Sequence, residues 1–164
     1  MSKSIIIMRH ALSENGGWLM PDADRHILPE GIRQTEEVAR KMLDSGLVPD
    51  MVWTSHAQRA IETAQVVLET LNVDVEQQIL RILYGEEEES VIEAVCLCDN
   101  STECLLVVAH NPLVSRLASR LSGSSVFGWF ATSDLVWLEF DTDDWSKIMV
   151  SEITNKTKIS SVMR

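Results

Sequence analysis

Residues 4–10 read Ser4-Ile5-Ile6-Ile7-Met8-Arg9-His10, and this stretch decides the fold. Four consecutive apolar side chains leave no polar face. That is the pattern of a strand covered on both sides, as in a parallel sheet with helices packed on it. The pattern returns at Asp50–Thr54, with Met51, Val52 and Trp53, and at Glu103–Ala109, with Leu105, Leu106, Val107 and Val108. Helical periods lie between these runs. Ile32, Val38, Ala39, Met42 and Leu43 share a face of a helix that Pro29 opens and Gly46 follows. Ala57, Ala60, Ile61, Ala64, Val67, Leu68 and Leu71 form a second apolar face. Residues 73–83 predict a short edge strand near their start. The acidic run 86–89 then opens a helix carrying Val91, Ile92 and Val95, because carboxylates favour a helix N-terminus. After the third strand, Asn111 is expected as N-cap and Pro112 at the first helical position of a helix with Leu113, Val114, Leu117, Ala118 and Leu121 inside. Asp134–Phe140 and Trp145–Ile153 read as two strands joined by a hairpin turn at Asp141–Asp144, and residues 155–164 as a partly frayed tail. Strand and helix alternate, so the class is α/β, a mostly parallel sheet with helices on both faces.

The 164 residues correspond to a single domain spanning 1–164. The formal net charge of −11, from 25 acidic against 14 basic side chains, argues against nucleic acid or an anionic membrane as partner. It leaves room for a small anion, since a few arginines can make one positive cleft on an acidic body. Cys96, Cys98 and Cys104 are an odd number without CxxC spacing, and read as buried thiols in a reducing compartment. Neither metal-ligand spacing nor a cofactor motif is present, so no metal and no cofactor is expected. The apolar run after Lys3 is too short for a secretory signal and no stretch is long enough to span a membrane, so the expected location is cytoplasmic.

Ligands of such sheets gather at the carboxyl ends of the strands. Arg9-His10 follows the first strand, Ser55-His56 the second with Arg59 one turn later, and His110 the third. Guanidinium forks hold phosphate oxygens, a helix N-terminus adds N–H donors, and a neutral imidazole can attack phosphorus. The three strand ends together point to a phosphate-handling site.

The same residues resemble a known family. Met8-Arg9-His10 is similar to the RHG signature of the histidine phosphatase superfamily, which includes the phosphoglycerate mutases. Ser55-His56-Ala57-Gln58-Arg59-Ala60-Ile61-Glu62-Thr63 resembles its S-P-x-x-R-A-x-x-T segment, and Val107–Val114 its second-histidine segment. The short length, Arg25–Gly31, the HxPLV run at His110–Val114 and Phe130-Ala131-Thr132-Ser133 resemble the SixA-type phosphohistidine phosphatases in particular. The resemblance implies a phosphoglycerate mutase-like three-layer αβα sandwich. It implies His10 as nucleophile, Arg9 and Arg59 as phosphate clamps, and His110 as a further donor to the phosphoryl group.

It also assigns Arg25 to substrate binding, although an arginine between Asp22 and Asp24 also reads as a surface ion pair. Asn111 and His56 are the other substrate-binding candidates, with His26 an accessory one. Ala11 and His56 stand where the family has Gly and Pro, Leu28-Pro29 replaces a polar pair, and Arg81 falls near a glutamate that acts as general acid in many relatives. Glu86 and Glu87 are the remaining acid candidates nearby. A missing acid suits a P–N bond better than a phosphomonoester. The short loop 13–24, with Trp18, leaves an open cleft suited to a phosphorylated protein, such as a histidine phosphotransfer domain. The expected function is therefore a phosphohistidine phosphatase of signal transduction. The competing readings are a phosphatase of a small phosphomonoester and a non-catalytic phosphoprotein-binding module.

Overall fold

Ile5, Ile6, Ile7 and Met8 have no solvent exposure, and the rest of the sheet is arranged around them. The computed structural model describes residues 1–85 and 87–161. The strands are β1 (Lys3–Arg9), β2 (Met51–Thr54), β3 (Gln77–Ile79), β4 (Cys104–Ala109), β5 (Leu135–Phe140) and β6 (Ile153–Ile159). The α-helices are α1 (Pro29–Asp44), α2 (Gln58–Leu71), α3 (Glu88–Cys96) and α4 (Leu113–Ser122). One sheet runs in the order β3-β2-β4-β1-β5-β6. β3, β2, β4 and β1 are parallel, and β5 alone is reversed, pairing antiparallel with both β1 and β6.

Strand side chains alternate between faces. Ile5, Ile7, Leu105 and Val107 join the core beneath α3 and α4, with Val91, Val95, Leu113 and Leu117. Ile6, Met8, Leu106 and Val108 join the core beneath α1 and α2, with Val38, Met42, Ala60 and Val67. Full burial of each large apolar side chain stabilises by roughly 1.5–3 kcal/mol. The result is the three-layer αβα sandwich expected, with a mostly parallel sheet.

Four local expectations need correction. Trp145–Val150 is a 3-10 turn, not a strand. Its buried residues Trp145 and Ile148 are three apart, a helical repeat, and Asp144 caps the turn by accepting from Ser146 N at 3.0 Å. The last strand is instead β6, so residues 155–159 are paired with β5 rather than frayed; residues 162–164 lie outside the described residues. Its sequence, Ile153-Thr154-Asn155-Lys156-Thr157-Lys158-Ile159, is that of a polar edge strand, which hid it. Asn111 is not the N-cap of α4; that place belongs to Pro112. The three cysteines are free but only half-buried. Among the described residues no helix is long and apolar enough to cross a membrane.

Candidate active site

Register brings the three strand ends together. Arg9 lies opposite Ala109 and Thr54 opposite Val108, so Arg9-His10, Ser55-His56 and His110 leave the sheet along one edge. His10 is only 8% exposed. Its backbone N–H donates to Ala109 O at 3.0 Å, and its carbonyl accepts from Ser133 N at 3.2 Å. Its Nδ1 lies 2.8 Å from the Ala11 carbonyl. A carbonyl only accepts, so Nδ1 carries the proton and Nε2 keeps its lone pair. Burial pushes the imidazole down to about 4, with Arg59, Arg9 and Arg25 adding to the effect and the Ala11 carbonyl opposing it. His10 is therefore neutral at physiological pH.

Ala11 supports this arrangement in place of the family glycine. It is fully buried and its N–H donates to Thr63 Oγ1 at 2.9 Å. Among described non-glycine residues only Asn72 and Ser133 have positive φ, so position 11 needs no glycine for its backbone angles.

His110 is 7% exposed and its ring centre lies 5.1 Å from that of His10. Ser55 Oγ is 2.6 Å from its Nε2. With the Ser55 hydroxyl donating to Nε2, the proton sits on Nδ1. Burial, then His10 and Arg59, push His110 down to about 3.

Arg59 is 5% exposed; its Nη1 donates to Asp22 O at 2.8 Å and its Nη2 to Asp22 Oδ2 at 3.0 Å. Arg9 Nη1 donates to Phe130 O at 3.0 Å. Burial lowers the Arg9 pKa, Asp134 offsets part of this, and Arg59 lowers it further. Arg9 Nε, Arg59 Nε, His110 Nδ1 and His56 Nδ1 are buried without a hydrogen-bond partner. An unsatisfied buried donor costs roughly 1–3 kcal/mol. Two such guanidinium donors beside a neutral imidazole define a site for an anion.

The other expected residues are placed differently. Arg25 donates through Nε to Asp22 Oδ1 at 3.0 Å and through Nη1 to Glu14 O at 3.0 Å, so its fork is engaged by the protein. The Asn111 amide donates to Phe130 O at 2.8 Å and accepts from Ser115 Oγ at 3.0 Å, which makes it a brace of the loop before β5. His56 lies at the rim, its ring centre 4.6 Å from that of Tyr84. His26 lies at the surface against Glu62 at 3.0 Å. Arg81 and Glu87 are exposed, and Glu86 lies outside the described residues.

Sequence reasoning passed over two residues. Tyr84 has its ring centre 5.5 Å from that of His110 and its hydroxyl donates to Asp22 Oδ2. Asp22 receives Arg25, Arg59 and Tyr84 together. Ser55 and Thr63 stood inside the recognised segment without a role; the structure gives each one.

Strand-end histidines and arginines on an αβα sandwich define a phosphoryl-binding class of protein. Residues 5–83 match the model of the histidine phosphatase superfamily (branch 1). An uncharacterised protein of Mycobacterium tuberculosis (strain H37Rv) is 32% identical over 118 residues, which cover 72% of each chain. The chain belongs to the histidine phosphatase superfamily. A 2,3-bisphosphoglycerate-dependent phosphoglycerate mutase of Rhodococcus opacus is 32% identical over 73 residues, 41% of this chain but only 28% of the mutase. The match thus spans less than a third of that relative. Among solved structures, the protein histidine phosphatase SixA complexed with tungstate superposes with a TM-score of 0.81 at 20% identity, covering 96% of this chain and 97% of the other. A phosphoserine phosphatase of Entamoeba histolytica gives 0.63 at 14% identity, covering 98% and 100%. At these identities the likeness is one of fold.

Proposed function

We propose that the protein is a metal-independent phosphohistidine phosphatase acting on phosphorylated histidine of a protein. The observation that carries this is the set of buried, unpartnered donors on Arg9, Arg59 and His110 beside a neutral His10 whose Nε2 is the free ring nitrogen. In the first step Nε2 attacks phosphorus, the N–P bond to the substrate imidazole breaks, and that imidazole leaves, taking a proton from water. The Ala11 carbonyl holds Nδ1–H while the His10 ring carries the phosphoryl group. Arg9, Arg59 and His110 face the oxygens, where charge spreads in a loose transition state. Water then attacks phosphorus and restores His10.

The leaving group favours nitrogen over oxygen. The Tyr84 hydroxyl, then Arg59 and Arg25, hold Asp22 down to about 2, so it is ionised and cannot protonate an alkoxide. Glu87 is exposed. The small-phosphomonoester reading has the mutase match in its favour but needs such an acid. On the favoured reading the enzyme serves cytoplasmic signal transduction, with a histidine phosphotransfer domain as substrate.

The test is turnover of a phosphorylated phosphotransfer domain, phosphoamidate and a sugar phosphate side by side, with trapping of the phosphoenzyme. Wild type should form an acid-labile phosphoenzyme and hydrolyse the two P–N substrates fastest. His10→Ala should lose both, by several orders of magnitude, about 10⁶-fold for nucleophiles in comparable units. Full activity of His10→Ala overturns the mechanism. Absence of a phosphoenzyme leaves a binding module, and faster sugar-phosphate turnover moves the phosphomonoester reading ahead.

A further inference from the structure

Asp22 brings a negative charge into a site otherwise built for an anion. It lies in the loop after β1, in the 3-10 turn Asp22–Asp24. Its Oδ1 accepts from Arg25 Nε at 3.0 Å and lies 2.9 Å from Arg25 Nη2. Its Oδ2 accepts from Arg59 Nη2 at 3.0 Å and from the Tyr84 hydroxyl, and its backbone carbonyl accepts from Arg59 Nη1 at 2.8 Å. The carboxylate therefore ties together two guanidiniums from two elements. Arg59 turns its Nη edge to Asp22 and keeps its buried Nε unengaged. Arg25 has its Nε–Nη2 edge on Asp22 and its Nη1 on Glu14 O.

The charges can be summed. Arg9, Arg25 and Arg59 supply three positive charges, and both imidazoles are neutral at physiological pH. Asp134, the carboxylate that acts on Arg9, has its own cation in Lys158 at 3.7 Å. With Asp22 ionised, two positive charges remain, which matches one phosphoryl group of about −1.5 to −2. Without Asp22 the third guanidinium would be free for another anion, as a bisphosphate or a phosphorylated carboxylic acid requires. A carboxylate held in place also repels a second negative group arriving beside the phosphoryl group.

We infer that Asp22 is a specificity-determining residue: it occupies the anion capacity of Arg25 and Arg59 beyond one phosphoryl group, and so selects phosphorylated groups whose immediate surroundings carry no second negative charge. The inference rests on the phosphatase reading and narrows its substrate class.

The test uses two phosphohistidine peptides that differ only in a Gln or a Glu next to the phosphohistidine, with the full-length wild type and Asp22→Asn. Asp22→Ala, also in the loop, serves as a second variant with circular dichroism as the check on folding. Wild type should prefer the Gln peptide by about tenfold or more in kcat/KM, and both variants should narrow the ratio to about threefold or less. A ratio unchanged in folded variants, or an equal loss on both peptides, overturns the inference. Wild type that turns over neither peptide refutes the phosphatase reading instead. Asp22 is then judged by calorimetry with inorganic phosphate and 2,3-bisphosphoglycerate. Selective tightening of the bisphosphate in Asp22→Asn supports the specificity role, and parallel changes in the two anions overturn it.

Discussion

His10 and His110 have given up their charge to sit where they do, and this links the site to the stability of the fold. Their ordinary value is 6.5, and burial takes them to about 4 and about 3. Between roughly pH 6.5 and 4 the unfolded chain binds protons that the native chain does not, so stability rises with pH across that window and falls as the solution is acidified. The full effect is on the order of 3 kcal/mol for His10 and about 5 kcal/mol for His110. Urea unfolding followed from pH 7 to 4 should show this loss, and His110→Gln, which cannot titrate, should show less of it. Equal pH slopes for the two proteins would contradict a buried neutral ring. Asp22 acts in another window: its stabilisation is present above about 3.8 and is lost as pH falls through about 2. The residues legible in the sequence were those whose place follows from the chain itself. Arg9, His10 and His110 end or follow buried strands, and Arg59 stands one turn into the next helix. The ion pair of Asp22 with Arg25 was legible from its spacing, but the contacts of Asp22 with Arg59 and Tyr84 were not, because they join positions 37 and 62 residues apart, with no local pattern to announce them.

At the scale of elements, the start of α1 is pressed onto the segment that follows His10. A Cβ added at Gly31 would lie 2.4 Å from Leu12 O and 3.1 Å from Leu12 N, and Leu12 O already accepts from Leu28 N at 2.9 Å. Backbone atoms cannot yield as the end of a flexible side chain can. Gly31→Ala should therefore destabilise the protein by roughly 1–3 kcal/mol. It should also lower turnover, because Leu12 adjoins Ala11, whose carbonyl orients His10. Thermal unfolding and phosphoamidate hydrolysis check the two effects; wild-type values in both would show that α1 can move away freely. The helices were legible from their 3.6-residue apolar period and the central strands from their unbroken apolar runs. Trp145–Val150 and β6 were not, because a polar edge strand lacks alternation and a short apolar run cannot by its hydrophobicity alone be assigned to strand or turn.

For the whole molecule, a net charge of −11 surrounds an edge where three guanidiniums meet. Among the described residues no group of three or more His, Cys, Asp or Glu side chains could hold a metal ion. On the proposed mechanism the arginines carry the charge stabilisation that a cation would otherwise supply. EDTA should leave phosphohistidine turnover unchanged, whereas activity lost to EDTA and restored by a divalent ion contradicts that account. The sheet order has a further consequence, for the history of each molecule rather than its chemistry. β1 is made first, yet its neighbours are β4 and β5, with Ser4 opposite Cys104 and Lys3 opposite Phe140. While the ribosome is still building the middle of the chain, Ile5–Met8 has no strand to pair with, and a bare apolar strand is a template for association with other chains. Nascent chains stopped before residue 104 should therefore depend on chaperones. On the proposed mechanism the nucleophile, His10, is synthesised before the strands that complete its site.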